Sequence, residues 1–156
     1  MFRVLSDPAI YEFENHPPES EEWLAHRYEL LENRRSPDGT EKWLNWVVRL
    51  PSGEAAGYVQ ATVLSSGASR VAYELNSCHW RQGIGKCAVT AMLSELRAAY
   101  NVHTFIAVFK VENFRSAALL RSLGFSELSA SQAKSMGLEA DEAAMAKTVD
   151  PPANAT

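Results

Sequence analysis

From Arg81 to Lys86 the chain reads Arg-Gln-Gly-Ile-Gly-Lys, two glycines bracketed by two cations. Val89, Met92, Leu93 and Leu96 follow at helical spacing, so the glycines open an amphipathic helix. The first turn of a helix leaves several N–H groups without intrahelical partners and carries the positive end of the helix dipole. Glycine lets the backbone approach a phosphate, and Arg81 and Lys86 add charge at the same place. The chemistry on offer is anion binding. A Walker A loop is excluded, because Trp80 stands where its first glycine would be and Cys87 where its Ser or Thr would be. A dinucleotide fingerprint fits poorly. Ala88 is tolerated in place of its third glycine, but the preceding strands read as a meander and not as a βαβ start. A tight turn that merely starts a helix is the alternative.

Other reactive side chains offer less. Cys87 could carry an acyl group, yet its place among Ala88, Val89 and Ala91 predicts a small buried thiol. His79 precedes the loop and reads as a solvated histidine. His26 and Glu22 share a helix face, but no third ligand is visible, so no metal centre is expected. Cys78 and Cys87 form neither a metal spacing nor a disulfide framework, and reduced thiols suit a cytoplasmic chain.

The elements that must position the loop follow from local signals. His16-Pro17-Pro18 breaks the chain, Ser20 caps a helix, and Glu21 and Glu22 suit its positive end. Leu24, Tyr28 and Leu31 recur at helical spacing, and Ser36-Pro37-Asp38-Gly39 turns the chain. Strands are predicted over residues 43–50, 56–64 and 70–76, joined by Pro51-Ser52-Gly53 and Ser65-Ser66-Gly67. After the glycine-led helix, Asn101 is a left-handed stop. Residues 103–110 form a buried strand in which Phe105, Ala107 and Phe109 alternate against Thr104, Ile106 and Val108. Asn113 caps a helix that runs to Leu123 and ends at Gly124, and residues 143–149 form a last strand. This order predicts an α+β fold of mixed layers.

Composition sets the bounds. A chain of 156 residues with 46% hydrophobic content suits one domain, taken as residues 1–149, with residues 150–156 as a flexible tail. No apolar run is long enough for a membrane span, and the first residues do not read as a secretory signal, so the expected location is the cytoplasm. The formal net charge of -4 argues against a nucleic-acid partner.

A second segment, Val111-Glu112-Asn113-Phe114-Arg115-Ser116 running to Leu123-Gly124-Phe125, lies about thirty residues beyond the glycine loop. Together the two segments resemble the GNAT superfamily of acyl-CoA N-acyltransferases. Trp80 at the head of the loop, Asn113 with Ser116, and the Leu5-Ser6-Asp7-Pro8 stretch resemble its RimJ/RimL-like branch. The resemblance spans roughly residues 5–149, with specificity concentrated in the two motifs. Relatives begin with a further strand before the Ser-Asp-Pro stretch; either the domain does without it or the true start lies upstream of Met1. A dimer partner is one way to cover the edge so exposed.

The resemblance implies a mostly antiparallel sheet splayed at the cofactor site and flanked by helices. It implies acetyl-CoA as co-substrate and no metal. The backbone of Leu75 and Asn76 would face pantetheine. The N–H groups of Arg81, Gln82, Gly83, Ile84, Gly85 and Lys86 would hold the pyrophosphate, and Asn113 would contact the pantetheine arm. The acceptor would be a small-molecule amine or a peptide N-terminus, attacking directly in a ternary complex. Glu74 is the implied base, with Tyr73 as the site-facing residue if the strand register is reversed. Many relatives place a Tyr acid where this chain has Leu120; Ser116 then serves as acid or thiolate donor. Glu12, Phe13 and Glu14 would line the acceptor pocket or form a polar loop. The reading from a different class is a non-catalytic acyl-CoA-binding regulatory module.

Overall fold

A computed structural model describes residues 1–150. Residues 151–156, the bulk of the expected tail, lie outside the described residues; Asp150, its first residue, accepts a hydrogen bond from Arg97 through its carbonyl.

The chain opens with a short helix, α1 (Phe2–Leu5), and a 3-10 turn over Pro8–Tyr11. Helix α2 (Glu21–Glu32) starts where Ser20 Oγ accepts the Trp23 N–H, the cap read from the sequence. Strands β1 (Lys42–Arg49), β2 (Ala55–Val63) and β3 (Ala68–Leu75) form the expected antiparallel meander. Helix α3 (Ile84–Tyr100) ends at Asn101, whose φ of 54° is the left-handed stop. Then come β4 (Thr104–Lys110), α4 (Phe114–Ser122), β5 (Ser126–Glu127), α5 (Ala130–Ser135) and β6 (Glu142–Thr148). The six strands lie in the order β1-β2-β3-β4-β6-β5, and all pairs are antiparallel except β3 with β4. Two short elements carry no periodic signal. Strand β5 has two residues, and α5 is one and a half turns held by a Ser129–Gln132 capping box.

Strand parity divides the sheet into two faces. Leu44, Val59, Ala61, Val71, Phe105, Ala107 and Phe109 point to one face and pack on Val89, Met92 and Leu96 of α3 and Leu120 of α4. Asn45, Tyr58, Gln60, Ala72 and Glu74 point to the other, which α1 and α2 cover only in part.

The β3–β4 pair is the shortest pairing between neighbouring long strands of the sheet. It is hydrogen-bonded only from Ala68 opposite Thr104 to Arg70 opposite Ile106. Beyond these three positions the strands diverge, so Val71–Leu75 and Ala107–Lys110 border an opening in the sheet. The splayed sheet is the one expected from the sequence. Among the described residues β1 is an edge strand, and no strand precedes it.

Candidate active site

The anion loop lies where β3 ends. Asn76 and His79 bound a 3-10 turn, and Trp80 leads into the loop. Arg81, at φ 59°, and Gly83, at φ 79°, are both left-handed. Such residues curl successive N–H groups toward one point and make an anion nest. Among the described residues, no backbone N–H from Arg81 to Lys86 donates to another protein group; the first N–H bonded at the start of α3 is that of Cys87, to the Gly83 carbonyl. At Gly85 a Cβ would press on Leu75 Cδ1 at 3.2 Å and touch Leu119 Cδ2 at 3.6 Å. The loop therefore fits a phosphate-bearing ligand by its free backbone donors. The Gln82 side chain is turned back, donating to the Cys78 carbonyl. Cys87 is exposed, which corrects the expectation of a buried thiol; it lies on the first turn of α3, before the buried stripe begins at Val89.

Two long-range contacts brace this loop. Asp7 Oδ2 accepts the Ser77 N–H at 2.7 Å, and Asn76 Nδ2 donates to the Val4 carbonyl at 3.0 Å. The hydrogen bonds from Ser77 and Ala9 hold the Asp7 carboxyl below its ordinary value against the opposing pull of burial. The N-terminal residues thus clamp the end of β3.

Backbone parity then separates Leu75 from Asn76. The Asn76 N–H donates to the Ala56 carbonyl, and its own carbonyl accepts from His79. Both its backbone groups are used, which corrects the expectation that they face pantetheine. Leu75 lies on the alternate parity, so its N–H points into the splay, as does that of Tyr73. The Leu75 carbonyl is taken by the Trp80 indole N–H at 2.8 Å. The Arg115 guanidinium stacks on Trp80, 4.6 Å from the ring centroid, and is paired with Glu12. Glu12 is thereby occupied at the surface, and of the Glu12–Glu14 segment only Phe13 and Glu14 line the main cavity.

That cavity has a volume of about 1210 Å³ and runs along the incompletely covered face of the sheet, through the splay, to the start of α4. Glu74 lies on its wall beside Tyr58, its cross-strand partner, with Tyr11, Glu14, Arg27 and Tyr28 around it. Burial pushes the Glu74 carboxyl above its ordinary 4.5, and the charge of Glu14 pushes further; the Tyr58 hydroxyl and Arg27 pull back. Burial also raises Glu14 and lifts Tyr11 to about 12. A carboxylate raised toward neutrality is suited to accept a proton. If Glu14 contributes as described, Glu14→Gln moves the acid limb of the pH–kcat/KM profile to lower pH, because it removes a negative charge that opposes ionisation of Glu74. The profile of the two proteins checks this.

On the far side of the splay, Asn113 Oδ1 accepts the Ser116 N–H at 3.0 Å and caps α4. That leaves its amide N–H groups for a ligand. Asn113, Ser116 and Leu120 all border the cavity. Among the described residues no cluster of His, Cys, Asp and Glu suits a metal, and no helix is long and apolar enough to cross a membrane. His26 faces Glu29 at 3.6 Å on exposed helix surface. Sequence reasoning missed Tyr58, Tyr11, Tyr28 and Arg27. The alternation of Val59, Ala61 and Val63 does put Tyr58 on the opposite face, but its meeting with Glu74 depends on the β2–β3 register.

An open sheet thus splays beside a glycine nest, with the half-buried Glu74 carboxyl at the opening. Residues 1–126 match the sequence profile of the acetyltransferase (GNAT) domain. The chain belongs to the GNAT acetyltransferase family. Solved structures share its fold. Spermidine N-acetyltransferase from Vibrio cholerae, in complex with CoA and spermine, superposes with a TM-score of 0.74 at 17% identity, covering 94% of this chain and 86% of that one. A GNAT phosphinothricin acetyltransferase from Sinorhizobium meliloti, in complex with acetyl-CoA, gives 0.63 at 21%, covering 91% and 79%. A putative acetyltransferase from Acinetobacter baylyi gives 0.66 at 15%, covering 97% and 86%. Comparison with curated protein sequences gives no significant match.

Proposed function

We propose that the chain moves an acetyl group from acetyl-CoA to a primary amine, by direct attack in a ternary complex. The observation that carries this is Glu74: a half-buried carboxyl, raised above its ordinary value by desolvation, in a cavity that continues through the splay to Asn113 and Ser116. Family membership, together with the CoA and acetyl-CoA complexes of the structural neighbours, supports the choice of donor. Trp80, with Asn113 and Ser116, favours the RimJ/RimL-like branch within the family. Both cysteines are free, as a reducing cytoplasm would keep them.

In this reading the nest at Arg81–Lys86 holds the pyrophosphate, with the dipole of α3 behind it. Asn113 aligns the pantetheine arm in the splay. The amine enters from the opposite face, where Glu74 takes its proton directly or through water, since an ammonium has no lone pair to attack with. As the carbonyl oxygen gains charge, the N–H of Leu75 is the donor aimed into the opening; Asn76 has none to give. Ser116 is placed to donate to the leaving thiolate. The acceptor is a small-molecule amine or a peptide N-terminus, and Glu14 and Glu74 on one wall favour a cation. A regulatory module that only bound acyl-CoA would not need a strained carboxyl at the opening.

An amine screen read by free-thiol release from acetyl-CoA tests the reading. Transfer to at least one primary amine is expected. A protein that binds acetyl-CoA and releases no thiol with any amine would establish the binding-module reading instead.

A further inference from the structure

Beside the main cavity, between α2 and the β1–β2 pair, lies a second one of about 310 Å³. Two strands and one helix supply its polar lining. Asn45 of β1 and Gln60 of β2 stand directly opposite each other, on the face that α2 partly covers. Arg27 reaches in from α2, and Leu30, Leu31 and Trp43 add apolar walls. None of the residues lining this side pocket is acidic. Arg27, Asn45 and Gln60 also border the main cavity, so a ligand can extend from one space into the other.

The polar groups here are unspent. Among the described residues Arg27 forms no ion pair, and its guanidinium lies 5.9 Å from the Trp23 ring centroid. Arg34, the other arginine on the cavity wall, is by contrast bonded to the Tyr100 hydroxyl. The Trp43 indole N–H is held by Glu41, so Trp43 offers the pocket only its ring. The Asn45 and Gln60 carboxamides bond to no protein group among the described residues and stay open to a ligand. A carboxamide can serve a ligand of either sign, so the guanidinium decides. Its fork of donors, flanked by two amides and opposed by no acid, suits a carboxylate.

The main cavity has the opposite character at Glu74 and Glu14. Tyr58, the cross-strand partner of Glu74, lies two residues from Gln60 on the same face, about 7 Å along the strand. The Arg27 charge reaches that end as well, drawing down Glu74, Tyr58 and Tyr28. One face thus presents an acid for an ammonium and, about two residues away, a cation for a carboxylate.

We infer that the side pocket binds a carboxylate of the acceptor, and that the acceptor is a small amine whose carboxylate stands about 7 Å from its nitrogen; the inference rests on the acetyltransferase reading. The ammonium lies at Glu74, where it is deprotonated and acetylated, while the carboxylate stays with Arg27, Asn45 and Gln60. An extended 5-aminopentanoate has this span, and so does a dipeptide such as glycylglycine. A free α-amino acid, with its two charges adjacent, spans too little. A diamine of the same length would set a second ammonium against Arg27.

The test compares kcat/KM, read by thiol release from acetyl-CoA, for 5-aminopentanoate, glycylglycine, pentylamine and 1,5-diaminopentane. The parent is expected to favour at least one carboxylate over both pentylamine and the diamine by about tenfold or more, as charge-assisted hydrogen bonds supply. The preference should lie mainly in the acceptor KM. Which of the two carboxylates is better used tells an amino acid from a dipeptide as the source. In Arg27→Gln the ratio of carboxylate to pentylamine should fall to about one, and Arg27→Glu should turn the preference toward the diamine. Ratios are taken within each protein, so that any effect of the lost charge on Glu74 cancels; a purely structural role would lower all four acceptors together. A parent that uses pentylamine or the diamine as well as either carboxylate overturns the inference without reference to any variant. An Arg27→Gln protein that keeps the parent's ratio does the same, and both results leave the acetyltransferase reading intact. A parent that binds acetyl-CoA and releases no thiol with any amine overturns that reading too.

Discussion

Glu74→Gln is expected to lower kcat by about 10²–10⁴-fold, the range general-base catalysis supplies, while acetyl-CoA affinity stays at the parent value. The amide keeps the size of the side chain and its contact with Tyr58 but cannot accept the ammonium proton. The same substitution is expected to stabilise the fold near neutral pH. Burial raises the folded-state pKa of Glu74 above 4.5. The folded chain therefore binds more protons than the unfolded chain between the two values, and stability falls as pH rises through that window. By the time the folded-state pKa is passed, the full cost of ionising the half-buried carboxyl is present. Glu74→Gln removes that cost. Its gain in Tm over the parent should be larger at pH 7 than at pH 4, as thermal melts at the two values would show. A Tm gain equal at both pH values would mean that the carboxyl is not strained, and the argument for a raised base would fail with it.

Gly57→Ala is expected to destabilise the protein by about 3 kcal/mol, at the upper end for overpacking, and to lower Tm by roughly 6–12 °C. Gly57 lies opposite Leu75 in the β2–β3 register. A Cβ on Gly57 would fall 2.0 Å from the Glu74 carbonyl oxygen and 2.8 Å from Leu75 Cα. Neither neighbour is the end of a flexible side chain; both are backbone, so the strands must separate. Next to Gly57 the β1–β2 register slips, and Ala56, whose carbonyl receives the Asn76 N–H, is the unopposed residue. The separation would thus fall at the end of β3 that carries Glu74 and the free Leu75 N–H. Activity should drop even at temperatures where the variant is folded. A variant with parent Tm would show that β2 and β3 are not held this closely.

What could be read from the sequence was what local chemistry decides. Ser20, Asn101 and Asn113 cap or stop their helices as residue type alone requires. The alternation of Phe105, Ala107 and Phe109 marks the core face of β4 without knowledge of its neighbours. The glycine loop, a strand-to-helix turn, is likewise a local object. The active site depends on register. Whether Glu74 or Tyr73 faces the acceptor, and whether Leu75 or Asn76 keeps a free N–H, each turns on a single residue of parity. The sequence offered both members of each pair; in the structure Glu74 lines the cavity on the face partly covered by α1 and α2, Tyr73 turns toward α4, and Leu75 keeps a free N–H. Asp7 was visible only as part of a resemblance, because its partner Ser77 lies seventy residues away. Small apolar neighbours predict a buried Cys87, but the first turn of α3 is exposed and burial begins only at Val89.

The most direct measurement is a calorimetric titration with acetyl-CoA, run in parallel on the parent and on Gly85→Asp, with desulfo-CoA as a control. Gly85 admits no side chain without crowding Leu75, and an aspartate would set a negative charge against the phosphates in the nest. The account predicts micromolar binding by the parent, weakened by added salt, with binding lost in a variant that still melts cooperatively. Equal affinity in both proteins, or no binding by a well-folded parent, would contradict it.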